Sequence, residues 1–367
     1  MKIGYIHDSR MPAPEANTVN VAKMCDAFAA NGHEVTLVHL PTQMKGVDVR
    51  AYYGLHHPIR TIALPRGGFP GGGRVFAAMA AAIFRMRGVE LVYGRKAELL
   101  LPSLRLGMPV VVETHEEIHE GRKNSRAALT KMLGSPKLRR MVVISEALRE
   151  AIAAEWPRIA DRLLVAHDGA DAMERPLPVP DAGRARPLIG YAGHLYPGKG
   201  MELIHQLALR RPDIDFLVLG GKGDDLVRWR AETANMPNIT LTGMVPHSEV
   251  PERLAACDLV LAPYANEVRT TDGRSDIARW MSPLKIFEYM AQGLPMMASD
   301  LPVLREVLED GVDAALCPPG DADAWLARMD ALLADPAARA AMGAAARAKL
   351  EARFTWRIRA RDVIAGL

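Results

Sequence analysis

Cysteine is scarce in this chain. Cys25, Cys257 and Cys317 are widely spaced, odd in number and without a CxxC pair, which excludes a disulfide framework or a thiolate metal site and reads them as small buried apolar residues. Long apolar runs are lacking as well. The longest candidate, Val75 to Phe84, is Ala-rich and bounded by Arg74 and Arg85, well short of the roughly 18 to 20 residues of a membrane span. Ile3-Gly4-Tyr5-Ile6 runs straight into His7-Asp8, too short for the apolar core of a signal peptide, which predicts a cytoplasmic protein. Aromatics make up 5% of the residues and the net charge is +3, so the basic footprint and stacking platform of a nucleic-acid binder are both missing. The first βα loop has no GxGxxG, and the chain has no GxxxxGK[ST] and no HExxH. Nicotinamide dehydrogenases, Walker-type ATPases and zinc hydrolases lose their usual signatures.

The composition that remains is that of an ordinary globular protein, 49% hydrophobic and 24% charged over 367 residues, enough for two domains. Residues 1–180 carry 24 Lys and Arg against 18 Asp and Glu, whereas 181–367 carry 22 against 25. Two domains with different electrostatic tasks fit that asymmetry.

Both halves alternate strands with helices, the pattern of parallel sheets covered on both faces. Lys2 to His7 reads as a strand, followed by the loop Asp8 to Asn17, a helix through Val21, Met24, Cys25 and Phe28 that stops at Asn31-Gly32, and a second strand Val35 to Leu40. Strands are also expected at Leu91–Tyr93, Val110–Val112, Met141–Ile144 and Leu163–Val165, with a Ser145-capped helix before the last. The proline-rich stretch 175–187 breaks the rhythm and reads as a linker. Strands at Leu188–Ala192, Phe216–Leu219, Ile239–Thr242, Leu259–Leu261 and Met296–Ala298 then alternate with helices. The expected fold is α/β, two Rossmann-like parallel-sheet domains facing across a cleft, with ligands beyond the carboxyl ends of the strands. The boundaries read as 1–172, a linker 173–187, 188–352, and a terminal helix 353–367 that crosses back to the first domain.

Two segments suit a diphosphate ligand. Gly193-His194-Leu195-Tyr196-Pro197-Gly198-Lys199-Gly200 stands directly before a helix: glycines permit close backbone approach, the helix start offers free N–H groups, and Lys199 adds charge. A plain glycine-rich turn with a solvated lysine has the same pattern. In Ser282-Pro283-Leu284-Lys285-Ile286-Phe287-Glu288, Ser-Pro reads as N-cap and first turn of a helix that Gly293 closes. Glu288, with Leu284 and Ala291 at i−4 and i+3, falls on a largely apolar face, where ribose hydroxyls or a nearby arginine could satisfy it. Asp224-Asp225 and Asp321/Asp323 read as solvated surface rather than a metal pair.

Together these segments resemble family 4 of the retaining glycosyltransferases, whose two-domain fold is called GT-B, and the likeness is spread along the whole chain. Glu113-Thr114-His115-Glu116 sits where the family often has a His-Asp or His-Glu pair; Val165 to Asp171 is similar to its "PNGVD" segment; Gly193 to Gly200 is similar to its "GRLxxxKG" loop. Leu219 to Gly223, Asn238 to Pro246, Ser282 to Asp300 and Phe354-Thr355-Trp356 complete the order. The sequence departs from the family at three places: Trp280 stands where many members have a sugar-contacting acid, His194 replaces the loop arginine as a cation that titrates near neutral pH, and Glu15-Ala16-Asn17 replaces a Gly-Gly.

The resemblance implies a metal-independent enzyme without a tightly bound cofactor, moving sugar from a UDP- or GDP-sugar to an acceptor hydroxyl on a lipid or cell-envelope glycan. Gly193, His194, Lys199, Gly221, Val245, Ser282, Pro283, Leu284, Lys285 and Glu288 are implied in donor binding, and Glu15, Ala16 and Asn17 in the first loop on the acceptor side. Lys199 and His115 are the implied catalytic residues, the lysine on the leaving diphosphate and the histidine on the donor sugar. A nucleotide-sugar epimerase of related fold and a non-catalytic nucleotide-sugar binder share these loops. The segment Ala265 to Trp280 lacks an apolar period and reads as a loop that orders on donor binding. Arg60, Arg66, Arg74, Arg85, Arg87, Arg95 and Lys96 gather in a stretch whose only acid is Glu90, beside the glycine-rich 67–73 and Phe69. That stretch fits either an anionic membrane surface or an interior Ala-rich helix with ordinary surface arginines.

Overall fold

The computed structural model describes residues 1–42, 44, 46–118, 123–173, 184–246, 249–269 and 276–367. The chain forms two compact units, Met1–Asp168 with Trp356–Leu367, and Gly169–Thr355. The segment 169–172 thus packs with the second unit: Ala170 N–H donates to the carbonyl of Phe354 at 3.2 Å, and a Cβ on Gly169 would lie 2.4 Å from that same oxygen. Most of the expected linker, residues 174–183, lies outside the described residues.

The first unit holds a seven-stranded parallel sheet of β1 (Lys2–Met11), β2 (Glu34–Pro41), β3 (Arg60–Ala63), β4 (Leu91–Gly94), β5 (Val110–Thr114), β6 (Leu138–Val143) and β7 (Leu163–Val165). Its order is β3-β2-β1-β4-β5-β6-β7. The second unit holds β8 (Leu188–Ala192), β9 (Asp215–Leu219), β10 (Ile239–Gly243), β11 (Leu259–Ala262), β12 (Met296–Ser299) and β13 (Ala315–Cys317) in the order β10-β9-β8-β11-β12-β13. In each sheet the order reverses beside the first strand, between β1 and β4 and between β8 and β11. Such a switch point splays neighbouring βα loops apart and opens a crevice at the strand ends.

Apolar runs such as Val110-Val111-Val112 and Leu259-Val260-Leu261 are buried throughout, because helices cover both faces of a parallel sheet. The three cysteines are buried and free, as their spacing implies. β1 runs four residues past its expected end: after an irregularity between Ile6 and Arg10, Arg10 and Met11 still pair with Leu40 and Pro41. Asp8, Ser9 and Arg10 therefore belong to a strand, and the first loop shrinks to residues 12–15 before the helix Ala16–Ala30.

The stretch 75–84 belongs to the helix Gly72–Met86, which is two-faced. Phe76, Ala77, Ala80, Ala81 and Phe84 are buried, while Val75, Met79 and Met86 lie exposed on the other side. The helix is neither wholly interior nor uniformly apolar.

Candidate active site residues on the two switch points

In the second unit the candidate residues converge on the switch point. The loop after β8 carries Gly193 to Gly200 into the helix Met201–Arg210. Gly200, at φ +99°, lies so close to the loop after β11 that a Cβ would fall 2.1 Å from the Pro263 carbonyl oxygen. Ala265 N–H donates to the carbonyl of Gly198 at 3.1 Å. Tyr191 braces the loop from below, its hydroxyl donating to the carbonyl of His194 at 2.7 Å and lying 3.2 Å from that of Lys199.

Two lysines meet above this frame. Lys285 Nζ is buried without a hydrogen-bond partner among the described residues, 3.8 Å from the ring centroid of Tyr191 and 5.2 Å from that of Tyr264. Lys199 Nζ lies 5.1 Å from the ring of Tyr196 and 5.2 Å from that of Tyr264. Aromatic faces attract ammonium groups but cannot accept strong hydrogen bonds from them. Burial pushes Lys199 down to about 8, and burial together with the charge of Lys199 holds Lys285 well below the usual lysine range. Both lysines, their ammonium groups lowered by burial, thus lie at the starts of the helices Met201–Arg210 and Leu284–Gln292.

The remaining expected donor residues differ in detail. The helix after β11 starts at Leu284, with extended Pro283 at the N-cap and no side chain capping it. Ser282 is buried and does not cap the helix, because the helix begins at Leu284 and the cap position falls on Pro283. Glu288 does not lie on the apolar face: Ile286, Phe287, Tyr289 and Met290 fill the core, and Glu288 is half-buried three residues from Lys285, whose charge it favours. His194 stacks on Tyr196 with ring centroids 5.6 Å apart. Its expected titration near neutral pH is corrected: burial, then Lys199, Lys222 and Lys285, push it below the ordinary histidine value. The group of this loop lowered to about 8 is Lys199. Gly221 sits where a Cβ would lie 2.4 Å from Leu195 Cδ1. Val245, after β10, is partly buried against the core. Trp280 is buried with the Arg279 guanidinium 5.5 Å from its ring. Of the expected lid, residues 270–275 lie outside the described residues, while Val268 N–H and Ala278 N–H both donate to Asp276 Oδ1, at 2.8 and 2.9 Å.

The switch point of the first unit is charged too. Asp8, near the end of β1, accepts from Lys96 Nζ at 2.7 Å and Arg66 Nη1 at 3.3 Å, while Arg95 Nη1 donates to the carbonyl of Asn17 at 3.4 Å. Glu15, Ala16 and Asn17 are exposed at the start of their helix. Sequence reasoning passed over Asp8, although its place at a strand end just before the first loop was a usable signal. His115 follows β5, with Nε2 2.5 Å from Glu113 Oε1. Farther along the same unit, a groove of about 1150 Å³ runs between the helices Gly72–Met86, Ala97–Arg105 and Lys123–Leu133. Ala78, Ala82 and Pro102 line it, with Arg66, Arg74, Arg105 and Lys131 also at its walls.

Comparison with known proteins agrees with this geometry. Residues 18–174 match Glycosyltransferase Family 4 and residues 186–335 match Glycosyl transferases group 1. A GDP-mannose-dependent monoacylated alpha-(1-6)-phosphatidylinositol monomannoside mannosyltransferase of Corynebacterium glutamicum is 29% identical over 177 residues, 47% of this chain and 44% of that protein. A D-inositol 3-phosphate glycosyltransferase of Xylanimonas cellulosilytica is 30% identical over 216 residues, 53% of this chain and 48% of its own. The matched stretch thus spans less than half the length of these curated relatives. Anabaena HepE, solved in complex with UDP and glucose, superposes over 100% of both chains with a TM-score of 0.74 at 17% identity. Sucrose-phosphate synthase from Thermosynechococcus elongatus covers 99% of this chain and 97% of its own, with a TM-score of 0.72 at 20% identity. At such identities the likeness is one of fold, and the fold is GT-B.

Proposed function

The chain belongs to glycosyltransferase family 4, and from that premise we propose that it is a retaining glycosyltransferase transferring sugar from a nucleotide-diphosphate sugar, UDP- or GDP-linked, to an acceptor hydroxyl. The observation that carries this reading is the pair Lys199 and Lys285, desolvated at the switch point of the second unit with aromatic rings against their ammonium groups and no ion pair to either among the described residues. A diphosphate supplies the acceptors that these cations lack. When the sugar–phosphate bond breaks, charge builds on the leaving oxygen, and fixed cations with helix N–H groups stabilise it without a tightly bound metal. Thermal-shift screening against UDP, GDP, ADP and their sugars tests the reading. A nucleotide at a hundred times its dissociation constant stabilises by about 2.7 kcal/mol. Product analysis then separates transfer from epimerisation, and a protein that binds but never turns over is a non-catalytic binder.

Glu288 takes the ribose hydroxyls in this reading. Glu288→Ala is expected to weaken UDP or GDP and the corresponding sugar nucleotide alike, by about 1.5–3 kcal/mol for charge-assisted bonds. Unchanged nucleotide affinity in the folded variant removes Glu288 from the site.

The acceptor side is assigned to the first unit, and the acceptor to a lipid or cell-envelope glycan at an anionic membrane surface. Supporting this, the helix Gly72–Met86 exposes Val75, Met79 and Met86 in a row, and Phe69 just before it is 56% exposed. Arg74 precedes Val75 on that helix, and Arg66 precedes Phe69 in the chain. Exposed apolar surface rimmed by cations suits anionic lipid, and each basic residue near such a surface is worth about 1 kcal/mol. Sedimentation with anionic vesicles is expected at low salt, reduced at high salt and in an Arg66, Phe69, Arg74 triple substitution. Absence of salt-sensitive binding assigns a soluble acceptor instead.

A further inference from the structure

An arginine near the end of the chain is buried against the strand that leads to His115. Arg359, on the helix Trp356–Val363, is 4% exposed, and Glu113, the fourth residue of β5, is wholly buried. Arg359 Nη1 donates to Glu113 Oε2 at 3.2 Å, while its Nε donates to the carbonyl of His167 at 2.8 Å and its Nη2 to that of Ala166 at 3.3 Å. The Tyr93 hydroxyl donates to the same Oε2. Oε1 is left to His115 Nε2. Asp168, which accepts from Asn20 Nδ2 at 2.7 Å, stands 3.9 Å from Arg359 Nη2.

Burial by itself would raise the Glu113 carboxyl, but the charge of Arg359, with the hydrogen bond from His115, outweighs it and holds the group well below the usual carboxylate range. An ionised carboxylate can only accept, so the hydrogen of the 2.5 Å contact sits on Nε2. His115 Nδ1 makes no hydrogen bond among the described residues. Arg359 already balances Glu113, and Arg95 also acts on that carboxylate. The other titratable groups facing the cluster are Asp168, Tyr93 and Tyr5.

We propose that Glu113 and Arg359 are positioning residues that hold His115 with its Nε2–H on Glu113, so that Nδ1 is the atom offered as acceptor to a substrate hydroxyl. The substrate part rests on the glycosyltransferase reading, whereas the tautomer does not. The final helix thereby serves the site from 246 residues away in sequence.

Isotope-labelled histidine NMR on the full chain at neutral pH tests this, with the His115 signals assigned by their loss in His115→Asn. Wild type is expected to show Nε2 protonated and Nδ1 bare, and Glu113→Gln and Arg359→Lys a mixture of tautomers. An Nδ1–H tautomer or a doubly protonated ring in wild type overturns the proposal. In both variants kcat is expected to fall at least about tenfold, as for a misplaced catalytic group, with nucleotide Kd unchanged within about twofold. A folded variant with mixed tautomers and unchanged kcat overturns the positioning role. If Glu113→Gln does not fold, Arg359→Lys, which keeps the charge but loses the fork, carries the test. Wild type that turns over no nucleotide sugar refutes the glycosyltransferase reading instead, and the NMR result still decides the tautomer.

Discussion

Replacing Lys199 by alanine is expected to lower turnover about 10²- to 10³-fold, the range for removing one preorganised stabiliser of developing charge, with a smaller rise in donor KM. Lys199 Nζ faces the rings of Tyr196 and Tyr264 and makes no ion pair among the described residues, so its field is neither neutralised by a carboxylate nor damped by full solvation. A diphosphate carries more charge on its bridging oxygen in the transition state than in the intact donor, so the lysine gains most there. If KM alone changes, Lys199 is a binding contact and nothing more. Its titration provides a second check. With the free-protein lysine at about 8, affinity for UDP or GDP is expected to decline below about pH 6, as the terminal phosphate protonates, and to decline above the lysine value, as the ammonium deprotonates. Binding near that pH takes up a fraction of a proton, which calorimetry in buffers of different ionisation enthalpy measures. Lys199→Ala is expected to remove its own share of the step and of the uptake, leaving that of Lys285.

Lys285→Met is expected to act in opposite directions on stability and binding. The buried ammonium has no hydrogen-bond partner among the described residues and lies 3.8 Å from the Tyr191 ring centroid, and a thioether packs well on aromatic rings. Removing the buried charge should stabilise the free protein by about 1–3 kcal/mol, or about 2–4 °C in Tm per kcal/mol for a domain of this size. Affinity for UDP or GDP should fall about 10- to 100-fold through loss of a charge-assisted contact. The gain in stability has a definite pH dependence. Because the folded-state lysine titrates below its ordinary value, the charge penalty in wild type is complete below the folded pKa and fades as pH rises toward the unfolded value of 10.5. The advantage of methionine is therefore largest below the folded-state value and shrinks as pH rises toward 10.5. A variant that melts lower and still binds nucleotide refutes the assignment of Lys285 to the anion site.

What could be read from the residues alone was whatever depends on neighbours in sequence. The runs at β5, β8 and β11, the Ser145 cap, which accepts from Leu148 N–H at 3.2 Å, and Gly293 closing its helix at φ +67° all rest on local periodicity and backbone freedom. β3 and β13 went unseen because Arg60-Thr-Ile-Ala and Ala-Leu-Cys are too short for a period and sit at sheet edges. Loop glycines and Lys199 were legible as a phosphate-binding pattern, but their energetics were not. Whether a lysine is solvated or stranded depends on Tyr191, Tyr196 and Tyr264, which come from different strands and loops. The same holds for the lowered His194 and for Glu288, half-buried and acting on the charge of Lys285. Arg359 is the clearest case. No local pattern distinguishes it from its neighbours Arg357 and Arg361, and only the return of the last helix onto β5 brings it to Glu113. Chain-local chemistry thus determined the parallel α/β architecture and the candidate loops, whereas desolvation and long-range pairing, which exist only after the strands have stacked, decided which charges are strained enough to act.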